Sequence, residues 1–205
     1  RTYDGAYPSL HFNYEATENF RVRAAYANTY GRPNLVDVIP NAQFSENDLN
    51  EQDQNNPAIV KGTITVRNTA LKPWTADNFD LSAEYYTNDG GIFSAGVFLK
   101  EIRNFFGTQV VLSTPEILDE LGLDPGYVGW NVNTKFNSGD ARITGGEFNI
   151  RQSLRRLGRW GAPFTVFANA TRLKLEGSRQ ADFTSFIPKT GNMGFSVNWK
   201  RVTFV

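Results

Sequence analysis

Asp80 and Glu84 are the residues that first invite a chemical reading, because a pair of carboxylates flanking a glycosidic bond can hydrolyse it. They lie four apart on one face of a strand-like run, about 13 Å along the chain at roughly 3.3 Å per residue. That separation is too large for acid and base to work together without partners from elsewhere, so both read as wall charges. His11 is the only His among 205 residues and there is no Cys. Histidine triads, HExxH helices, thiolate nucleophiles and Cys-based zinc sites are therefore absent. His11 reads as a hydrogen-bonding residue on a polar strand face. The segment 45–56, Ser-Glu-Asn-Asp-Leu-Asn-Glu-Gln-Asp-Gln-Asn-Asn, is rich in the hard oxygen donors that suit Ca²⁺. It lacks the central Gly and terminal Glu of an EF-hand loop, and a solvated polar loop is the better reading. The sequence thus predicts no catalytic residue, no metal site and no cofactor.

Binding chemistry has better candidates. Ser113-Thr114-Pro115-Glu116 opens like a helix, with Ser113 and Glu116 as a capping box and Pro115 in the first turn, and Gly122 marks its end. Ile117, Leu118 and Leu121 form the apolar side of that short helix. It reads as a packing element in a long loop in preference to a substrate lid. Just beyond it, Tyr127 and Trp130 offer broad apolar faces with polar tips for stacking a sugar or an aromatic ligand. Together with Arg32, they are the loop candidates for substrate contact.

These residues need elements to position them, and period-two alternation supplies seven. Apolar positions recur at Leu10–Tyr14, Phe20–Tyr26, Phe79–Tyr85, Phe93–Leu99, Phe148–Ile150, Phe164–Ala170 and Met193–Trp199. The connections alternate too: 16–19, 88–90 and 155–162 are short, while 31–74, 103–142 and 176–190 are long. Short turns on one rim and long loops on the other are the signature of an outer-membrane barrel. Strands of about 9–11 residues are what a tilted crossing requires, and these segments fit that length. Glu15, Arg21, Arg23, Asp80, Glu84, Lys100, Glu147, Arg151 and Lys200 share the parity of the polar face, where a charge escapes the roughly 2–4 kcal/mol penalty of facing lipid at mid-bilayer. Glu84, Lys100, Glu147 and Arg151 are accordingly predicted to face the lumen, and Arg21, Arg23 and Arg151 to form ladders with Glu15, Glu84 and Glu147. Arg172 and Lys174 have the opposite parity and adjoin a long loop. Tyr14, Phe20, Tyr85, Phe93, Phe164 and Trp199 gather beside the short turns as one aromatic girdle.

Mean hydropathy of −0.42 is too low for membrane helices but compatible with alternating strands. With 21 basic and 21 acidic residues, the chain has no basic stripe for nucleic acid. The predicted fold is all-β, an antiparallel up-and-down transmembrane barrel fragment of about seven strands with short periplasmic turns and long extracellular loops. An open edge leaves backbone groups unpaired in lipid. Residues 1–205 are therefore expected to be one partial barrel domain that continues beyond both ends, with Arg201 to Val205 opening an eighth strand. A passive porin, or a soluble β-sandwich for binding or adhesion, is the alternative.

Several stretches resemble the barrel of TonB-dependent outer-membrane receptors. They are Arg23-Ala24-Ala25-Tyr26 with Gly31-Arg32-Pro33-Asn34; Leu71-Lys72-Pro73-Trp74 through Asn78-Phe79-Asp80-Leu81 with Glu84-Tyr85-Tyr86; Phe93 through Phe105; Gly145-Gly146-Glu147-Phe148-Asn149 with Gln152-Ser153-Leu154; and Phe167-Ala168-Asn169-Ala170-Thr171. The resemblance implies a 22-stranded barrel in the outer membrane of a Gram-negative bacterium. It implies a plug domain and TonB box outside this segment, through which the TonB complex powers uptake. A scarce or large substrate (iron chelate, cobalamin, nickel complex or oligosaccharide) would bind the outer loops, in some members with a surface lipoprotein.

Overall fold

The computed structural model describes residues 5–54, 56, 58–177, 186–199 and 202–204. Ten strands form one continuous sheet: β1 (Ser9–Thr17), β2 (Phe20–Gly31), β3 (Ala42–Glu46), β4 (Gly62–Val66), β5 (Trp74–Tyr86), β6 (Ile92–Leu112), β7 (Asn131–Ser153), β8 (Phe164–Gly177), β9 (Lys189–Trp199) and β10 (Val202–Phe204). The order β1-β2-β5-β6-β7-β8-β9-β10 is a meander in which every neighbouring pair is antiparallel. All seven predicted crossings are present, and β10 begins the eighth strand. A sandwich needs a second sheet packed on the first, and the described strands form only one.

Alternation sorts the faces as predicted. Leu10, Phe12, Leu81, Val97, Phe148 and Phe195 are exposed on the apolar face, while Asp80, Glu84, Lys100, Glu147 and Arg151 take the other. On that polar face Arg21 pairs with Glu15 at 2.5 Å and Arg23 with Glu84 at 3.2 Å. Arg151 and Glu147 make no ion pair with each other. Both lie on β7, four residues apart, where a strand separates them by about 13 Å. Phe20, Tyr85 and Phe93 are successive register partners, so the girdle is continuous across β2, β5 and β6. The side chain of Trp199, and Lys200 altogether, lie outside the described residues.

The apolar face has a constant height. Counting from the short-turn rim, eight positions separate Phe20 from Asn28, Tyr85 from Asp77, Phe93 from Glu101, Ile150 from Arg142, Phe164 from Arg172 and Val197 from Lys189. Eight residues span about 26 Å along a strand and roughly 20 Å vertically at a tilt of about 40°, close to the apolar band of about 25 Å that such barrels present to lipid.

Above that height the faces exchange character. Asp77, Glu101, Arg142 and Glu176 form one register row on what had been the apolar face. The adjoining row on the other face, Ala76, Ile102 and Ala141, is buried with Trp74, Phe105, Ile143 and Leu175 against it. Trp74 lies over Gly31, where a Cβ would sit 2.2 Å from the indole, so only glycine permits this approach.

The long connections are where the sequence reading needs correction. Residues 103–142 are not a loop: β6 and β7 stay paired from Ile92↔Arg151 to Leu112↔Asn131, and only 113–130 connect them. The crossing length sets the minimum for a strand, and this hairpin runs well past it. The first long connection also contains order. It holds the β3–β4 hairpin and two single-turn helices, α1 (Leu35–Val38) and α2 (Glu51–Gln54), the latter within the candidate Ca²⁺ loop. Of the third, residues 178–185 lie outside the description.

Leu81→Arg places a charge in the middle of the apolar band and should destabilise the intact protein by about 2–4 kcal/mol in lipid vesicles. Ser82→Arg, facing the other way, should cost far less. Urea titration of both variants tests this, and equal losses would overturn the face assignment.

Candidate functional site

The long-loop rim carries the constellation able to hold a ligand, and it is built on the β6–β7 hairpin. Where the hairpin leaves the apolar band, pairing passes from Ile102↔Ala141 through Phe105↔Gly139 to Phe106↔Asn137. In this double bulge Asn104 (φ 57°) has no register partner and Gly139 (φ 115°) sits opposite Phe105. Asn137 pins it by donating from Nδ2 to the carbonyls of Asn104 and Lys72, at 2.8 and 2.9 Å. Beyond it, β4 joins β7 in parallel, Thr63↔Asn131 to Val66↔Thr134, and β3 joins β4. The result is a four-stranded tower, β3-β4-β7-β6, standing on the rim.

The tower has its own core. Ile64, Leu118, Trp130 and Val132 are buried, with Ala42, Val66, Val111, Ile117, Leu123 and Tyr127 packed round them. Leu118 comes from α3 (Pro115–Glu120), the helix read from sequence. Its cap is Thr114, one residue later than predicted, whose Oγ1 accepts from the Ile117 N–H at 3.3 Å. Ser113 is buried and staples the loop instead. Its hydroxyl donates to the Tyr127 carbonyl at 2.6 Å and accepts from the Trp130 N–H at 2.9 Å. The Thr114 hydroxyl, and after it the backbone N–H of Glu116, hold the Glu116 carboxyl below the usual range.

A second anchor ties α1 to the tower. Asp37, 5% exposed, is met by Lys135 Nζ at 2.8 Å and by Arg67 at 3.4 Å. Arg67 also donates to Gln43 Oε1 at 3.1 Å. Beside them lies a hollow of about 140 Å³ lined by Thr65, Asn68, Thr108, Asn133 and Thr134 as well. Two cations against one carboxylate leave it with one net positive charge among hydroxyls and amides.

The loop candidates do not meet as a single pocket. Trp130 is 6% exposed, its ring pressed on Gly62, where a Cβ would lie 2.4 Å away. Its faces are covered by protein, which corrects the reading of Trp130 as a stacking surface. Tyr127 packs edge-on to Trp130 at 4.9 Å and leans on Phe44 at 4.8 Å. Phe44, 45% exposed, went unread in the sequence because its strand is short and its partner lies far along the chain. Arg32 stands apart at the end of β2, donating to the Tyr30 hydroxyl at 2.9 Å.

Of the predicted lumen residues, Glu84 accepts from the Tyr86 hydroxyl at 2.5 Å as well as from Arg23. Lys100 Nζ lies 5.5 Å from the Trp74 ring centroid, joining the polar face to the apolar rim cluster. Glu147 and Arg151 are exposed on the same face. His11 is exposed on β1, and among the described residues no group of His, Asp and Glu is arranged to hold a metal ion.

A family model for the β-barrel of TonB-dependent receptor-like proteins matches residues 1–203. No curated protein matches. Among solved structures, the siderophore receptor PirA of Pseudomonas aeruginosa aligns with TM-score 0.64 and 18% identity over 96% of this chain and 31% of its own. A mutant of the ferric enterobactin receptor PfeA from the same organism aligns with TM-score 0.62 and 17% identity, over 96% and 26%. The copper transporter OprC aligns with TM-score 0.59 and 11% identity, over 94% and 24%. The chain thus spans less than a third of each of these three structures, and identities this low establish a common fold.

Asp37→Asn removes both ion pairs of a nearly buried carboxylate whose partners are partly exposed. We expect the tower to lose about 1–3 kcal/mol, seen as faster proteolysis at Lys61 with the sheet below unaffected. Unchanged cleavage would show that Asp37 does not anchor the tower. For Glu116 the lowered carboxyl stabilises α3 fully above the usual Glu range, and this is lost as pH falls through the lowered value. Protection of the amides of residues 117–121, measured against their intrinsic exchange rates, should therefore fall in acid, and Glu116→Gln should abolish that loss of protection.

Proposed function

Since the chain belongs to the TonB-dependent receptor β-barrel family, we propose that it forms part of an outer-membrane importer which captures a ferric chelate at the long-loop rim and imports it with energy relayed through TonB. Members of the family are outer-membrane proteins of Gram-negative bacteria, and the uniform apolar band supports that setting for this chain. The observation that carries the reading is the family match over residues 1–203 in a chain whose strands rise past the band into a packed tower. That two of the similar structures carry siderophore or enterobactin in their names favours a ferric chelate over cobalamin, a nickel complex or an oligosaccharide.

Within this reading each group has a task. Tyr127 and Phe44 supply an aromatic contact for the ligand, and Trp130 holds Tyr127 in place. Arg32 adds a cation at the rim, and the positive hollow beside Lys135 and Arg67 accepts an acidic group of the chelate. Glu84, Lys100, Glu147 and Arg151 line the wall facing a plug domain. The TonB complex acts through that plug, and no catalytic step is assigned to this segment.

Uptake of radiolabelled ferric chelates by iron-starved cells tests the proposal. Deleting the gene should abolish uptake of at least one chelate, and removing TonB should do the same. Tyr127→Ala with Phe44→Ala should weaken binding of that chelate by about tenfold, as expected for losing a central aromatic anchor. Unimpaired uptake of every chelate in the deletion strain would overturn the ferric substrate. Uptake that persists without TonB would instead make the protein a passive channel.

A further inference from the structure

Just above the apolar band, Arg172 on β8 and Lys189 on β9 are direct register partners. Arg172 has the parity of Phe164, Val166 and Ala170, and Lys189 that of Met193 and Phe195, so both project from the face that below them is apolar. Both are exposed. Like charges opposite one another on neighbouring strands repel, their Cβ atoms being about 4.5–5.5 Å apart. Elsewhere on this charged belt every cation among the described residues has a carboxylate: Arg103 has Asp77 at 3.0 Å, Arg142 has Glu101, and Lys174 has Glu176 at 2.6 Å. Among the described residues no carboxylate lies within ion-pair distance of Arg172 or Lys189.

The surface round this pair is bare. Gly146 is the register partner of Arg172 on β7, and Ala170 and Gly191 form the next pair on the same face towards the band. Neither glycine is imposed by packing, because an added Cβ would meet nothing nearer than 3.6 Å at Gly146 and 3.8 Å at Gly191. Two cations thus stand over a shelf of small residues. Directly below it come Met193, 84% exposed, and Phe148, 47% exposed. A partner here needs a negative head at the height of Arg172 and Lys189 and an apolar body running down past Met193 and Phe148.

We propose that Arg172 and Lys189 form a binding site for the phosphate of an outer-leaflet lipid headgroup, with its acyl chains lying along Ala170, Gly191 and Met193. The proposal rests on this face meeting lipid and is independent of what the protein transports. A phosphate between the two side chains turns their repulsion into two charge-assisted contacts. Clustered basic side chains at a membrane surface gain in the same way from anionic headgroups. Commitment to a lipid in place of a free anion comes from continuity with the apolar face: the shelf leads straight into Met193 and Phe195.

The test uses the intact protein in phosphatidylcholine nanodiscs doped with diphosphorylated lipid A or with its dephosphorylated form, and counts retained lipid by native mass spectrometry after mild extraction. Wild type should retain the phosphorylated form alone. Arg172→Gln with Lys189→Gln should lower retention by about tenfold, whereas Arg172→Lys with Lys189→Arg should preserve it. Heat-modifiable gel migration identifies folded barrels, and if the Gln pair does not fold, Lys189→Gln alone should still reduce retention. Equal retention by wild type and a folded Gln variant would overturn the proposal, as would an equal loss in Lys61→Gln on the tower. Equal binding of dephosphorylated lipid would reduce the site to apolar contact. Full displacement by millimolar inorganic phosphate would make it a free-anion site. Ferric chelate uptake by the Gln variant should be unchanged, so failure of the transport reading registers in a different measurement.

Discussion

Were β7 to slip by one residue against β6, Phe148 and Ile150 would turn to the polar face and Glu147 and Arg151 to the apolar one, because side chains alternate with period two. That inversion would push Glu147 into hydrocarbon and take Phe148 out of it, while Arg151, at the short-turn edge of the band, would cost only about 0–1 kcal/mol. The same slip would misplace Val132 in the tower, since one unbroken hairpin carries both wall and tower. Register is therefore the constraint the molecule depends on, and lipid enforces it most strongly. The double bulge at Asn104 and Gly139 does not spoil it: pairing returns to its former offset at Phe106↔Asn137. The wall can thus dictate the tower's register from below.

The exchange of faces at the top of the band follows from what each side meets. Below Asp77, Glu101, Arg142 and Arg172 the outward side meets hydrocarbon, and at their level it meets headgroups and water. The inward row Ala76–Ile102–Ala141 changes in the opposite sense, because Trp74 and Phe105 cover it. A single strand such as β5 therefore encodes two environments in one alternation, with the reversal falling between Phe79 and Asp77.

What was legible in the sequence tracks how strongly lipid constrains it. Phe79–Tyr85 and Phe93–Leu99 alternate cleanly because a slip there is expensive, and the shared polar-face parity of Glu84 and Lys100 followed from the same rule. Gly107–Leu112 and Asn131–Asn137 extend the same strands into water, where neither face must be apolar, so their pattern is indistinct and they resembled loop. The helix at Pro115 was visible from its caps, yet Ser113 and Thr114 have similar hydroxyls. Only the backbone of Trp130, distant in sequence, decides that Ser113 is the staple and Thr114 the cap. Trp130 and Phe44 show the same limit. Exposure belongs to the packed tower, so an aromatic read as a binding surface proved to be core, while an unremarked one lies half in water.

If the rim captures a ligand as proposed, it gains from being ordered before the ligand arrives. Immobilising a flexible side chain on binding costs about 0.5–1.5 kcal/mol, and ordering a whole loop multiplies that cost. In the tower the order is supplied by folding: Ile64 and Leu118 are sealed in its core, Asp37 clamps α1 through Lys135 and Arg67, and Ser113 closes the tip. Tyr127 stands on that base, fixed between Trp130 and Phe44. A ligand stacking there would meet a surface whose conformational entropy is already spent. That favours slow release, the kinetic property a capture step at low concentration needs most.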